Sequence, residues 1–163
     1  MTKSKFSLWV VLTFFVILIL SGVNYLIFSK LFVGESGNIS FGILIFIGLL
    51  VFTWIWLTFG ELRTKIITII IDSNLIFVRN FGGLGRKVSF GLDEFEGYKT
   101  SLLPSKYRTY EYLYLIKNGK KTIKIYQFYH SNYSELKIEL RKNVKFIGHE
   151  KFNYLRELKE IFK

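Results

Sequence analysis

Few residues in this chain have the type and spacing for catalysis. Asp93, Glu94 and Glu96 form its one tight carboxylate cluster. Paired carboxylates act as general acid and base when burial raises the pKa of one of them. No histidine lies near this cluster in the sequence, and no second carboxylate group accompanies it. We therefore interpret the cluster as a solvated turn.

Metal and nucleophile chemistry have equally little support. The chain has no cysteine, which excludes disulfides, thiolate metal sites and cysteine nucleophiles. Its two histidines, His130 and His149, lie far apart and lack the spacing of a metal-binding pair. No Ser-His-Asp order with a nucleophile elbow is present. We expect a protein that is not an enzyme and that has no catalytic residue, metal or cofactor.

A glycine-rich stretch, Gly82-Gly83-Leu84-Gly85, precedes Arg86 and Lys87 and could be compared with a phosphate-binding loop. A P-loop has a longer spacing between its glycines and leads into a helix. Here the strand-like residues 88–90 follow instead. The stretch therefore predicts a flexible loop between two strands.

Positive charge is the most prominent chemical feature of the chain. Residues 61–163 contain 20 Lys and Arg against 11 Asp and Glu, a net charge of +9. Six of these cations are close together in the sequence, four around one predicted β-hairpin and two on the loop before it: Lys117, Lys120, Lys121 and Lys124, with Lys106 and Arg108. Their surface either contacts anionic head groups or an acidic partner, or it is that of an ordinary solvated hairpin.

Two long uncharged runs precede the basic part, one ending before Lys30 and one extending from Ser36 to Gly60. A helix of about 20 apolar residues crosses a bilayer, and both runs are apolar on every face. We predict a transmembrane hairpin over residues 1–60. The predicted spans cover about residues 6–28 and 39–60. The first run is too long for a signal peptide, so we expect it to be retained.

Lysine and arginine set the orientation of this hairpin. Lys3 and Lys5 precede the first span, and Arg63 and Lys65 follow the second, whereas the loop between the spans has a single lysine. Positive flanks stay in the cytoplasm, so we expect both termini on the cytoplasmic side of the inner or plasma membrane.

Small and aromatic residues mark particular surfaces of the two spans. Small residues allow close helix approach. The candidate helix–helix contacts are Ser40, Gly42 and Gly48. Tryptophans favour the membrane interface. Trp9, Trp54 and Trp56 lie near span ends on one common side, where we expect an aromatic belt.

Short strand patterns follow the hairpin. Leu62 to Ile71 is dense in β-branched residues, and the turn Asp72-Ser73-Asn74 leads into a returning strand from Leu75 to Asn80. Further strands are predicted at 86–90 and about 96–100.

The clearest hairpin pairs residues 110–117 with the residues after Asn118-Gly119, a type I′ turn signal. Tyr110, Tyr112 and Tyr114 share one face of it. We predict that they are core residues, and we therefore expect no nucleic-acid binding.

Two helices are predicted at the end of the chain. Asn132 suits an N-cap with Glu135 at the third helical position, the arrangement of a capping box. A basic amphipathic helix is predicted over residues 146–163, either in the lipid interface or against the domain. Its apolar side comprises Phe152, Leu155, Leu158 and Phe162.

The order of these elements resembles the pleckstrin-homology-like (PH-like) fold, especially bacterial PH-like domains that follow a two-helix membrane hairpin. Local similarity lies in residues Phe90–Phe95, Tyr114–Lys121 and Asn132–Leu136. The resemblance implies an α+β membrane protein in which residues 61–145 form a mostly antiparallel β-barrel closed by a helix. Members of this group largely lack an assigned function.

One turn departs from the lipid-binding members of the wider family. Phosphoinositide-binding PH domains carry Lys and Arg between their first two strands, whereas Asp72-Ser73-Asn74 is short and has no base. We expect a non-catalytic, membrane-anchored module that contacts a protein partner or an anionic lipid surface. The alternative is a structural or accessory subunit of a membrane transport or envelope complex.

Overall fold

The computed structural model of the chain describes residues 1–32, 40–105 and 108–154. Within these residues the fold is α+β, with two apolar N-terminal helices and two four-stranded sheets. The α-helices are α1 (Leu8–Phe32), α2 (Phe41–Ile55) and α3 (Tyr133–Asn143). The strands are β1 (Thr2–Lys3), β2 (Thr68–Asp72), β3 (Leu75–Arg79), β4 (Lys87–Gly91), β5 (Gly97–Pro104), β6 (Thr109–Lys117), β7 (Lys120–Tyr126) and β8 (Phe146–His149).

The two apolar helices form a hairpin with exposed sides. Residues Leu8–Leu31 and Phe41–Leu62 are long and apolar enough to cross a membrane. Almost none of their residues is buried, unlike the core helix of a soluble protein. Helix α2 continues as a π-helical segment, Trp56–Leu62, which carries the chain into the β-rich part.

The contact between α1 and α2 does not use the predicted small residues. Gly42 and Gly48 are exposed, and a Cβ added at either would meet nothing within 4 Å. Ser40 caps α2 by accepting from the Ile43 N–H at 3.4 Å. The Trp54 indole donates instead to Ser21 Oγ on α1 at 2.8 Å. A contact with another protein through the small residues stays a prediction.

The two sheets differ in strand direction. The first has the order β1-β2-β3-β4 and is antiparallel throughout. The second has the order β7-β6-β5-β8, and β8 runs parallel to β5. Asn118 and Gly119 have φ values of 51° and 67°, as the predicted type I′ turn requires. The sheets are not closed into a barrel, so the predicted barrel is not confirmed.

The interior between the sheets is mostly aliphatic, and we call it the inter-sheet core. Leu113 and Leu115 of β6 face it, as do Leu136 and Leu140 of α3, and none of these four side chains is exposed. Because side chains alternate along a strand, the other face of β6 must pack elsewhere.

That other face packs against the base of the helical hairpin, in what we call the junction cluster. Its buried members are Val10, Leu62, Ile66, Tyr112, Tyr114, Ile116, Tyr126 and Tyr129. Tyr112 and Tyr114 are each 1% exposed, which confirms the prediction that they are core residues, and Tyr110 is partly buried. Trp9 stacks on Phe128 with ring centroids 5.0 Å apart, so it packs partly on the domain.

The residues before α1 are part of the first sheet, which the sequence did not predict. β1 pairs with β2, and the Ser4 N–H donates to the Ile69 carbonyl at 2.8 Å. The Lys5 N–H donates to Asn132 Oδ1 at 2.7 Å, and Asn132 Nδ2 donates to the Lys3 carbonyl at 3.0 Å. Asn132 is the N-cap residue of α3, as predicted, but the predicted side-chain cap is wrong, because this side chain binds the N-terminal segment and Glu135 instead of the helix backbone.

The predicted C-terminal helix does not begin at residue 146. Phe146–His149 is strand β8, because its backbone bonds the open edge of β5, and the Tyr98 N–H donates to the Lys145 carbonyl at 2.9 Å. Phe152 packs on the junction cluster. The remaining predicted apolar positions, Leu155, Leu158 and Phe162, lie outside the described residues. The strand predicted from Leu62 begins only at Thr68.

Candidate functional site

A cleft of about 680 Å³ lies where the edge strand of one sheet faces the edge strand of the other. Strand β4 ends the first sheet and β7 ends the second. Apolar side chains of Ile67, Val78 and Phe90 line its interior. Four cationic residues also line it, and we call it the basic cleft; these residues are Arg63, Lys120, Lys121 and Lys124.

Three of the six predicted contact residues meet in this cleft. Lys120, Lys121 and Lys124 all belong to β7, which brings them to one sheet edge. The Lys121 ammonium pairs with Glu150 and lies 3.7 Å from the centre of the Tyr114 ring. Lys124 Nζ lies 5.7 Å from the same centre. Aromatic faces attract cations, so the Tyr114 ring helps to position the ammonium groups of Lys121 and Lys124.

The other predicted residues lie elsewhere. Lys117 pairs with Glu94 outside the residues that line the cleft, and its hydrogen bond is the main reason that the pKa of Glu94 lies below its usual value. The Arg108 guanidinium lies 5.6 Å from the centre of the Tyr110 ring, also outside that lining. Lys106 lies outside the described residues.

Arg63 is the cationic residue of the cleft that was not among the predicted contact residues. It follows directly on the apolar segment Phe41–Leu62, and Thr64 beside it also lines the cleft. Its position three residues after the end of the uncharged run was the available signal. Neither Arg63 nor Lys120 forms an ion pair with any residue in the described ranges. The cleft lies at the end of the helical hairpin, and it therefore carries cations that the described residues do not neutralise.

The acidic cluster is a solvated turn, as predicted. Asp93, Glu94 and Glu96 are all exposed. Glu94 accepts from the Gly91 N–H at 2.6 Å, and Glu96 accepts from the Gly119 N–H at 2.8 Å. These carboxylates organise neighbouring turns.

The glycine-rich stretch joins β3 to β4, which confirms the predicted loop between strands. It also contacts the hairpin, because a Cβ at Gly82 would lie 3.0 Å from the Phe14 ring of α1. Gly82 has a φ of 64°, a conformation that glycine adopts without strain. Glycine therefore allows both the turn and the close approach of α1.

The two histidines are separate. His130 is buried beside Phe6, and burial lowers its pKa from 6.5 to about 4. His149 Nδ1 lies 2.7 Å from Thr100 Oγ1. In the described part of the chain, no three His, Asp or Glu side chains are grouped so that they could hold a metal ion.

Comparison of the chain with protein-family profiles, curated proteins and solved structures gives no match. Its function must therefore be inferred from its own residues.

Proposed function

We propose that this chain is a multi-pass membrane protein with a non-catalytic, PH-like module on the cytoplasmic face, and that its basic cleft contacts anionic lipid head groups. The observation that supports this most is the position of Arg63. It follows directly on the second apolar helix and lines the same cleft as Lys120. A cleft built onto the end of a span would lie at the lipid surface.

The charge of the chain supports an anionic partner. Each Lys or Arg near an anionic leaflet contributes about 1 kcal/mol of attraction, and this falls off within a Debye length of about 10 Å. A cation must therefore lie close to the head groups. The membrane anchor also keeps the module at high effective concentration near the surface, so a weak contact suffices.

The strand arrangement supports the proposed fold, and the residues that flank the helical hairpin support the proposed orientation. Two mostly antiparallel sheets and α3 resemble the elements of a PH-like domain. Ser4 and Lys5, which precede the first helix, form hydrogen bonds to the β-rich part that follows the second helix. Both flanks of the helical hairpin therefore lie at the same end of the hairpin. These flanks carry Lys3, Lys5, Arg63 and Lys65, and positive flanks favour the cytoplasm.

The full chain in lipid nanodiscs can test the lipid contact. The chain lacks cysteine, so Thr122→Cys in the cleft can be labelled at one site with an environment-sensitive dye. We expect the emission to shift when an anionic lipid is added to zwitterionic discs, and to shift back at high salt. Arg63→Gln combined with Lys120→Gln, which lowers the net charge by two, should abolish the lipid-dependent shift.

Lys142→Glu is the matched control, because this exposed lysine lies on α3 and does not line the cleft. It changes the net charge without changing the cleft, so the lipid-dependent shift should remain. An emission that is the same in both kinds of disc would contradict the proposal, as would equal effects of the cleft and control variants.

The accessory-subunit alternative rests on a different surface. Gly42 and Gly48 lie open on the exposed side of α2, where a helix of another protein could approach closely. A photo-crosslinker at Gly48 in intact membranes should then capture one stoichiometric partner. A crosslinker at Phe52, also exposed on α2, provides the comparison.

A further inference from the structure

A second cleft, of about 550 Å³, lies between the π-helical segment and the tyrosine face of the second sheet. Of the described residues that line it, seven are aromatic and two, Glu61 and Lys65, are charged. We call it the junction cleft, and its defining residues are Trp56, Leu57, Glu61, Lys65, Tyr126 and Phe128. Its composition differs from that of the basic cleft, whose described lining residues include four cations and no carboxylate.

One stretch of chain gives the junction cleft an apolar end and a charged end. Trp56 and Leu57 belong to the apolar segment Phe41–Leu62, whereas Glu61 and Lys65 lie at its end and just beyond it. Trp56 and Lys65 are nine positions apart along this stretch, so the apolar end and the charged end are separated along the direction of the chain. This gradient matches an amphiphile whose chains lie beside the helix and whose head group lies at its end.

The charged end presents one anion and one cation side by side. Glu61 Oε1 lies 2.5 Å from Lys65 Nζ, and the two side chains are only 14% and 13% exposed. Glu61 Oε2 accepts from the Tyr129 hydroxyl at 2.8 Å. Burial and the Glu61 charge raise the pKa of Tyr129, so its hydroxyl remains a donor. This pair has no net charge.

The cleft wall also shows how an ammonium group is held there. Lys65 Nζ lies 5.9 Å from the centre of the Tyr126 ring, beside the Glu61 carboxylate. Carboxylates and aromatic faces both bind ammonium groups, and lysine binds phosphate. A head group with both charges meets a partner for each. A purely anionic head group would lie against the Glu61 carboxylate.

We propose that the junction cleft binds one zwitterionic phospholipid, a phosphate diester of an amino alcohol. Its ammonium group is recognised by Glu61 and the neighbouring rings, its phosphate by Lys65, and its chains pack against Trp56 and Leu57. This inference rests on the proposed membrane insertion, and it assigns a different surface and a different lipid class from the anionic contact at the basic cleft.

Native mass spectrometry of the full chain in a mild detergent tests this assignment. A zwitterionic aminophospholipid and an anionic phosphatidylglycerol with identical chains are added in competition. We expect one bound zwitterionic lipid per chain, retained roughly tenfold more tightly than the anionic one. Glu61→Gln and Lys65→Met should each remove this preference. Lys87→Met, an exposed position outside the cleft lining, should leave it unchanged.

Leu57→Trp fills the apolar end and keeps both charges, so it should lower the retention of both lipids while the thermal midpoint stays near that of the parent. It covers the case in which the charge variants do not fold. Equal retention of the two lipids by the parent chain would overturn the inference, as would a preference that persists in the folded charge variants. Equal binding of the chain-free phosphoamine head group would also overturn it, because the apolar end would then contribute nothing.

These outcomes are separable from failure of the proposed function. A chain that remains in solution without detergent contradicts membrane insertion itself. A chain that requires detergent but does not distinguish the two lipids contradicts only the junction-cleft assignment.

Discussion

The inter-sheet core and the junction cluster bury opposite faces of the same two strands, and they use different residues to do so. Toward the inter-sheet core, β6 and β7 present Leu113, Leu115, Ile123 and Ile125. Toward the helices they present Tyr112, Tyr114 and Tyr126, and the rings of Tyr112 and Tyr126 stack with centroids 4.0 Å apart. On these two strands, aliphatic side chains face the inter-sheet core. Tyrosines carry a hydroxyl that must find a partner, which suits a region where apolar helices meet polar groups.

The difference shows how the β-hairpin of β6 and β7 can pack against two different environments, one on each face. A tyrosine face opposite a leucine and isoleucine face indicates a sheet that packs on something other than a dry core. In this chain that neighbour is the base of the helical hairpin. Each region still contains a tyrosine bonded to a lysine-paired glutamate: Tyr129 with Glu61, and Tyr133 with Glu111.

Leu136→Ala should cause the largest loss of stability. Leu136 is fully buried in the inter-sheet core, and such truncations cost about 2–5 kcal/mol. Denaturant unfolding of the full chain in detergent, followed by near-ultraviolet circular dichroism, measures the loss. Ile138→Ala is the control on the same helix, because Ile138 is 60% exposed and should change stability by less than about 0.5 kcal/mol. Equal losses would mean that α3 does not pack as described.

Acidification should weaken the side of the molecule that holds the N-terminal segment. The pKa of His130 is about 4 in the folded protein against 6.5 in the unfolded chain, so the unfolded chain binds more protons between these values. Stability contributed by neutral His130 is therefore present above pH 6.5 and is lost as the pH falls toward 4. The difference corresponds to about 3 kcal/mol.

Thermal midpoints measured at successive pH values test this expectation. His130→Phe keeps a buried ring without a titrating group and should flatten the pH dependence. His149→Phe is the control and should retain it. A parent chain whose stability is constant over this pH range would rule out His130 as an acid-sensitive group.

Tyr129→Phe and Tyr133→Phe compare the two regions directly. Each removes a hydroxyl that donates to a carboxylate, at 2.8 Å to Glu61 and at 2.5 Å to Glu111. Hydrogen bonds to charged groups contribute about 1.5–3 kcal/mol, so we expect similar losses from both changes. Denaturant unfolding gives the free energies. A loss confined to Tyr133→Phe would show that the junction cluster contributes little to the folding of the β-rich part.

Gly82→Ala should have the smallest effect. The change places a Cβ where φ is 64° and 3.0 Å from the Phe14 ring, and the left-handed conformation alone costs a non-glycine residue about 1–2 kcal/mol. Hydrogen exchange of the residues around Phe14 and Gly82 should increase. Gly48→Ala meets open space and should leave exchange there unchanged.

The sequence predicted those elements whose pattern is local. Period-two alternation located β6 and β7, the Asn-Gly pair located their turn, and the apolar stripe located α3. The uncharged runs located both apolar helices. In each case a repeating local preference agrees with the final packing.

What the sequence did not predict depends on contacts between distant residues. β1 and β8 have two and four residues, too few for a period, and β1 pairs with residues near 70. Asn132 matched a capping pattern, yet its amide binds Lys3 and Lys5. Arg63 belongs to the basic cleft only because the end of the helical hairpin lies beside β7. The contacts of β1, β8 and Asn132 leave no signal in a short window of sequence, and for Arg63 the one local signal is its position just after an uncharged run.

The pairing of β1 with β2 bears on how the chain is made. Ser4 leaves the ribosome long before Ile69, and the two are joined by hydrogen bonds in both directions. If the helices cross a bilayer, these bonds form only when the first residues have remained on the side where the later ones are synthesised. In a copy whose N-terminus has crossed the membrane, β1 cannot pair with β2, and this edge of β2 has no hydrogen-bonded neighbour.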